Sequence, residues 1–149
     1  MEAVIFVGLQ ASGKSTFFRE RFSRTHVRIS LDLLKTRHRE KRFLEVCLET
    51  GQRFAIDNTN PSAAERAPYI LAAKAVGFRL ACYFFESKIE DCKRRNAARA
   101  EDERIPVPGL LGTRSRLEIP KRGEGFDEMW FVRIAEGGGF AVAEWNDEV

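Results

Sequence analysis

Short, solidly apolar runs alternate along the chain with stretches in which apolar residues recur every three or four positions, a rhythm that predicts strands separated by helices. Ala3-Val4-Ile5-Phe6-Val7 is the first such run, and Phe17 to Phe22 behind it reads as helix. His26-Val27-Arg28-Ile29 predicts a second strand that ends at Ser30-Leu31-Asp32. One long helical segment follows, with Leu44, Cys47 and Leu48 on a common face and Thr50-Gly51 at its end. Arg53-Phe54-Ala55-Ile56 predicts a third strand, and Asn60 with Pro61 predicts an N-cap and first helical position. That helix runs through Tyr69, Leu71, Ala72 and Val76 to Gly77. Arg79 to Phe85 is nearly continuous in apolar residues, the pattern of a strand buried on both faces. Ser87-Lys88-Ile89-Glu90 has the spacing of a capping box and opens a helix carrying Arg94, Arg95 and Arg99. Beyond Pro106 and Pro108 a short helix is predicted over Leu110–Leu117, and Pro120 to Gly125 reads as loop. Met129–Ile134 and Phe140–Trp145 then read as strands closing a hairpin across Gly137-Gly138-Gly139.

Strands alternating with helices predict an α/β fold with a mostly parallel sheet covered on both faces. In such sheets a ligand sits beyond the C-terminal strand ends. The predicted ends of the first three strands are followed by Gly8–Ser15, Asp32 and Asp57, so three distant stretches converge on one edge.

The first of these, Gly8-Leu9-Gln10-Ala11-Ser12-Gly13-Lys14-Ser15-Thr16, lies between the first strand and the first helix with the spacing G-x-x-x-x-G-K-S of a phosphate-binding P-loop. Glycines let the backbone turn its N–H groups inward, and the helix N-terminus adds partial positive charge. Lys14 can reach the β- and γ-phosphates and the Ser15 hydroxyl can ligate Mg²⁺. Gln10 is compatible with the loop and adds nothing to it. A bound nucleoside triphosphate is the direct implication. Phosphoryl transfer from it needs a carboxylate near the acceptor hydroxyl, for which Asp32 and Asp57 both qualify. A mobile arginine near the transferring group is available in Arg95 or Arg99. No D-x-x-G follows the third strand and no N-K-x-D occurs, which favours an ATP-using kinase over a GTP switch.

At 149 residues and 44% hydrophobic composition the chain is expected to form one domain, 1–149, with its own core. No apolar run approaches the roughly 20 residues that cross a bilayer. The N-terminus enters a strand almost at once, which predicts no signal peptide. Cys47, Cys82 and Cys92 form no C-x-x-C pair, so a reduced, cytoplasmic protein with cysteines in its core is expected. The net charge is only +3 but uneven: residues 19–53 hold ten Lys/Arg against five Asp/Glu, whereas residues 124–149 hold seven acids against one base. Basic stretches suit a polyanionic partner. Within them, Lys35 to Arg42 reads either as solvated helix surface or as a groove for a charged acceptor.

Taken together, Gly8-x-x-x-x-Gly13-Lys14-Ser15-Thr16, Ile29-Ser30-x-Asp32, Ile56-Asp57-Asn58-Thr59-Asn60-Pro61, Arg95-Asn96-x-x-Arg99, Val107-Pro108 and Pro120 with Glu124-Gly125-Phe126 resemble the small P-loop kinases related to the kinase domain of polynucleotide kinase-phosphatase. The resemblance implies a P-loop NTPase three-layer sandwich, adenylate-kinase-like, with a mostly parallel five-stranded sheet and an arginine-bearing lid around residues 88–118. It implies ATP and Mg²⁺ as cofactors. Asp32 becomes the general base, with Lys14 and Arg95 completing the catalytic set. Gly8, Ala11, Ser12, Gly13, Lys14, Ser15 and Thr16, joined by Arg95 and Arg99, would hold the nucleotide, and Ser15 with Asp57 the metal. Lys35 and Arg37 would meet the acceptor. Lys35 stands where the polynucleotide kinases carry an arginine that grips the acceptor phosphate, keeping the charge but not the planar bidentate contact. Leu31 replaces an arginine of the Asn-Arg-Asp those kinases tend to have. No D-x-D-G-[ST] phosphatase signature occurs. The expected activity is transfer of the γ-phosphate to a hydroxyl, with a polynucleotide 5′-OH as leading acceptor and no membrane partner. A small-molecule kinase (nucleoside, sugar or antibiotic) is the alternative, and a non-catalytic ATP-binding module a second.

Overall fold

The computed structural model describes residues 1–146, so Asp147 and Glu148 of the acidic stretch lie outside the described residues. Its elements are β1 (Glu2–Val7), α1 (Lys14–Arg21), β2 (Val27–Ile29), α2 (Leu31–Leu34), α3 (Arg37–Thr50), β3 (Phe54–Ile56), α4 (Ala63–Ala75), β4 (Arg79–Phe85), α5 (Ile89–Ala97), α6 (Val107–Arg116), β5 (Glu128–Ile134) and β6 (Phe140–Glu144). The strands form one sheet in the order β2-β3-β1-β4-β5-β6. Five of them run parallel, and β6 returns antiparallel to β5 across the three glycines, adding a sixth strand to the five-stranded parallel frame.

Strand periodicity divides the core. Along β1, Ala3, Ile5 and Val7 face a cluster with Cys47 of α3 and Tyr69, Ile70 and Ala73 of α4. Val4 and Phe6 face the other side, against Phe17, Phe18 and Phe22 in and just beyond α1. All of Ala3–Val7 is buried, so β1 is the central strand that its continuous apolar run predicts. A third, smaller cluster joins Leu9 to Cys92 and Leu110, packing α5 and α6 against the glycine-bounded loop. All three cysteines are buried and free. No helix among the described residues is long and apolar enough to cross a membrane.

Three local expectations are corrected. The long helix after Asp32 is two helices, because Lys35 adopts φ 72° and Thr36 begins again as an N-cap, its side chain accepting from Arg39 N–H. The helix predicted from Asn60-Pro61 starts at Ala63 with Ser62 as cap; Asn60 has φ 44° and spends its amide on β1 instead. The Ser87 capping box does not form either. Lys88 is the N-cap of α5 without a side-chain bond, and Ser87 Oγ accepts from Leu9 N–H at 3.0 Å. At Asn60 and Ser87 a tertiary partner outcompetes the local cap, whereas at Lys35-Thr36 local turn and cap chemistry interrupts the helix.

The turn at Asn60-Pro61 is held from beneath by Arg66, whose side chain is fully buried. Its Nη1 donates to the carbonyls of Asn60 and Pro61, and its Nε and Nη2 reach Glu124 Oε1 and Oε2 at 2.8 and 3.0 Å. This bidentate pair crosses from α4 to the turn before β5. Removing one partner of a buried pair strands the other charge, so Glu124→Ala is expected to destabilise the fold by about 3–5 kcal/mol, read as a shifted urea midpoint.

Candidate active site

Strand ends deliver the site. β1 runs into Gly8, where an added Cβ would lie 2.9 Å from Phe85 Cβ on neighbouring β4, so only glycine lets the loop leave the sheet here. Gly13 stands at φ 100° with the Phe140 ring 2.9 Å from where its Cβ would be. Ala11 takes φ 63°, left-handed without being glycine. The loop therefore leads into the N-terminus of α1, whose first N–H groups, at Lys14, Ser15 and Thr16, have no intrahelical acceptor.

Lys14 lies folded against its own loop. Its Nζ donates to the carbonyls of Gly8 at 3.0 Å and Leu9 at 2.7 Å, with Ser12 Oγ at 3.5 Å. Burial holds its pKa down to about 8, with Asp57 and Asp32 pulling the other way. Asp32 is thus close enough to act on Lys14 electrostatically. It sits exposed in the first turn of α2 and makes no hydrogen bond or ion pair among the described residues. That leaves its carboxylate available to accept a proton.

Asp57, at the end of β3, is buried. Its Oδ2 accepts from Ser15 Oγ at 3.1 Å and from Arg28 Nε at 2.8 Å. A hydroxyl and a carboxylate side by side beneath a phosphate cradle are the hard oxygen donors that Mg²⁺ takes, with phosphate oxygens and waters completing its shell. Among the described residues no group of three or more His, Cys, Asp or Glu could hold a metal ion.

On the other side of the loop, Arg95 and Arg99 line a cavity of about 290 Å³ with Ala11, Gly13, Thr16, Ile134 and Phe140. Arg95 Nη1 donates to Ala11 O at 3.3 Å. Asn96, between the two arginines, is buried and staples the connection to α6: its Oδ1 accepts from Ile105 N–H and its Nδ2 donates to Ile105 O. Gln10, to which the motif assigns nothing, donates to Thr113 Oγ1 of α6 at 3.0 Å. Of the predicted nucleotide residues, Ala11, Gly13 and Thr16 share this cavity with both arginines, and the β5–β6 hairpin contributes Ile134 and Phe140, which their strand pattern alone did not mark.

Lys35 and Arg37 flank the break between α2 and α3. Lys35 is the centre of a γ-turn, with φ 72°, ψ −34° and Thr36 N–H donating to Leu34 O at 2.9 Å. Arg37 Nη1 donates to Glu40 Oε1 and Tyr69 Oη, both at 3.0 Å, yet the side chain is 70% exposed. Glu40 is buried and also accepts from Tyr69 Oη at 2.8 Å and Asn58 Nδ2 at 2.8 Å. Burial, reinforced by Glu40, pushes the Tyr69 hydroxyl up to about 12, so it stays a donor. Asn58 Oδ1 in turn accepts from Leu31 N–H at 2.9 Å, capping the helix that carries Asp32. Arg28, Glu40, Tyr69 and Gln10 are the working residues that sequence reasoning missed. Each acts through a partner more than 25 positions away, which no local motif records.

Residues 4–111 match the model of a protein family described as AAA domain. Among curated proteins, the bifunctional polynucleotide phosphatase/kinase of Schizosaccharomyces pombe is 28% identical over 129 residues, covering 84% of this chain and 32% of that protein. The chain thus spans about a third of that relative's length. Kti12 from Chaetomium thermophilum, solved with ADP-AlF3, matches with a TM-score of 0.62 at 16% identity over 88% of each chain. A gluconokinase from Sinorhizobium meliloti 1021 matches with a TM-score of 0.61 at 15% identity, over 88% of this chain and 81% of that one. At such identities the solved structures share the fold, which is that of P-loop kinases.

The buried lysine makes nucleotide affinity depend on pH. Lys14 is charged below about pH 8 and loses its proton above it, so ATP affinity measured calorimetrically is expected to be flat to about pH 8 and then to fall. Lys14→Met should bind weakly at every pH, without the break. The linkage to stability has the opposite sense: between about pH 8 and 10.5 the unfolded chain holds this proton and the folded one does not, so the Lys14 contribution to stability rises with pH there.

Proposed function

The chain belongs to the AAA domain family of P-loop proteins, and from that premise we propose that it is an ATP- and Mg²⁺-dependent kinase that phosphorylates a polynucleotide 5′-hydroxyl. The observation that carries this reading is the free carboxylate of Asp32, on a helix whose Leu31 N–H is capped by Asn58, close enough to act electrostatically on the buried Lys14. The relation to a polynucleotide phosphatase/kinase and the exposed basic side chains of Lys35, Arg37 and Arg39 support the acceptor class. Residues 1–149 act as one kinase domain, and residues 88–118 as its arginine-bearing lid.

In this account the loop N–H groups and Lys14 hold the β- and γ-phosphates, which requires Lys14 to leave the carbonyls of Gly8 and Leu9. A magnesium ion bound by Ser15 and Asp57 would neutralise charge on the β- and γ-oxygens. Asp32 takes the proton from the acceptor 5′-hydroxyl as the hydroxyl oxygen attacks the γ-phosphorus in line; the bond from the γ-phosphorus to the β,γ-bridging oxygen breaks and ADP leaves. Arg95, released from Ala11 O, follows the charge on the transferring group, with Arg99 beside it. Lys35 meets the acceptor's phosphate as a point charge.

A small-molecule acceptor is the second reading, favoured by Leu31, which puts an apolar side chain beside the base, and by the gluconokinase likeness. The two separate on salt. A polynucleotide acceptor's KM should rise steeply with ionic strength, because phosphate-backbone contacts release counterions, whereas a neutral small acceptor's KM should not.

Asp32→Asn is expected to lower kcat for 5′-OH oligonucleotide phosphorylation on the order of 10²–10⁴-fold while ATP affinity stays within a factor of two or so. Unchanged transfer in Asp32→Asn would remove the assigned base. A separate outcome is expected at Lys35, whose left-handed backbone disfavours any side chain. Lys35→Gly should raise unfolding stability by about 1 kcal/mol and raise acceptor KM without changing ATP affinity.

A further inference from the structure

Arg28 projects from edge strand β2 onto the two groups that fit a magnesium ion. Its Nε donates to Asp57 Oδ2 at 2.8 Å and its Nη2 to Ser15 Oγ at 3.0 Å. Ser15 Oγ donates to the same Asp57 oxygen at 3.1 Å, closing a triangle of three side chains. A carboxylate oxygen has two lone-pair positions, and Oδ2 has two partners; the hydroxyl has its proton on Asp57 and a lone pair facing Arg28. A metal that took Ser15 and this oxygen of Asp57 would have to displace the guanidinium.

The electrostatics explain why a cation stands there. The Asp57 side chain is 2% exposed, and a buried carboxylate without a partner is strongly disfavoured. Lys14 acts on Asp57 only through space, since its ammonium is bonded to Gly8, Leu9 and Ser12. Among the described residues Arg28 is the ion-pair partner of Asp57. It also has room to leave: β2 pairs only with β3, and the Arg28 side chain is 26% exposed.

We propose that Arg28 is a resident counterion of the metal site, which competes with Mg²⁺ for Ser15 and Asp57 and swings outward when the magnesium–nucleotide complex binds. The inference rests on the donor half of the proposed kinase and is independent of the acceptor. It makes Arg28 a positioning residue: it keeps Ser15 and Asp57 oriented in the nucleotide-free protein and sets the magnesium concentration at which the site fills. Free Mg²⁺ without nucleotide keeps its waters and lacks the anionic phosphate oxygens that would hold it against the guanidinium, so it displaces Arg28 poorly.

The test is a calorimetric titration of a non-hydrolysable ATP analogue at a series of magnesium concentrations, for the wild type, Arg28→Gln and Arg28→Lys, with thermal melts of each protein. The magnesium midpoint for tight analogue binding is expected to fall about tenfold or more in Arg28→Gln, the equivalent of one charge-assisted hydrogen bond. Arg28→Lys, with a single point contact, should fall between. Without ligand both variants should melt below the wild type, and saturating magnesium–analogue should narrow that gap, because binding no longer opposes an ion pair. Arg28→Lys retains the charge and keeps the test alive should Arg28→Gln fail to fold. A midpoint unchanged or raised in the folded variants overturns the proposal while leaving nucleotide binding intact. A wild type that binds no analogue overturns the donor half of the kinase reading, and the proposal falls with it.

Discussion

Four consecutive residues at the end of β3 join the elements that the site needs. Asp57 accepts from Ser15 at the start of α1, Asn58 caps α2, Thr59 O accepts from Gly8 N–H, and Asn60 donates to Phe6 O of β1. The phosphate loop and the helix carrying Asp32 have no sequence proximity; this segment gives them a common support. Its own shape is unfavourable, with Asn60 at φ 44°, and it persists because the buried Arg66–Glu124 pair holds the carbonyls of Asn60 and Pro61. Stability from α4 and the turn before β5 is thereby converted into geometry at the segment that follows β3.

A second set of contacts encloses the loop from the other side. Gln10 reaches Thr113 on α6, Arg95 on α5 reaches Ala11 O, and Leu9 packs on Cys92 and Leu110. Three positive groups of the site are bonded internally: Lys14 on loop carbonyls, Arg95 on Ala11, Arg28 on Asp57. A triphosphate entering this site exchanges those bonds for its own. The net gain is the difference between two sets of charge-assisted contacts, which is smaller than either set alone.

Much of this was legible in the residues. The apolar runs located the strands within a residue or two, and the convergence of Gly8–Ser15, Asp32 and Asp57 on one edge followed from parallel topology, because parallel strands end on the same side. Local turn chemistry was less reliable. Ser87 and Asn60 both have capping side chains, and both abandoned the cap for Leu9 N–H and Phe6 O. The break at Lys35 was invisible because lysine is a good helix former and nothing in its side chain announces a positive φ. Arg28 read as one more strand residue; its role depends on Asp57 and Ser15, which lie 29 and 13 positions away. Fold and donor site were written in periodicity and one motif, whereas the bonds that position Asp32 and Asp57 are long-range and pairwise.

The central claim is that residues 57–60 bind the donor loop and the Asp32 helix into one unit. Amide hydrogen exchange with and without a magnesium–ATP analogue tests it most directly. If the claim holds, analogue binding slows exchange at Gly8 and through the loop and, in the same titration, at Leu31 N–H and through α2, although α2 carries none of the residues assigned to the nucleotide. Protection confined to the loop, with α2 unchanged at saturation, would contradict it.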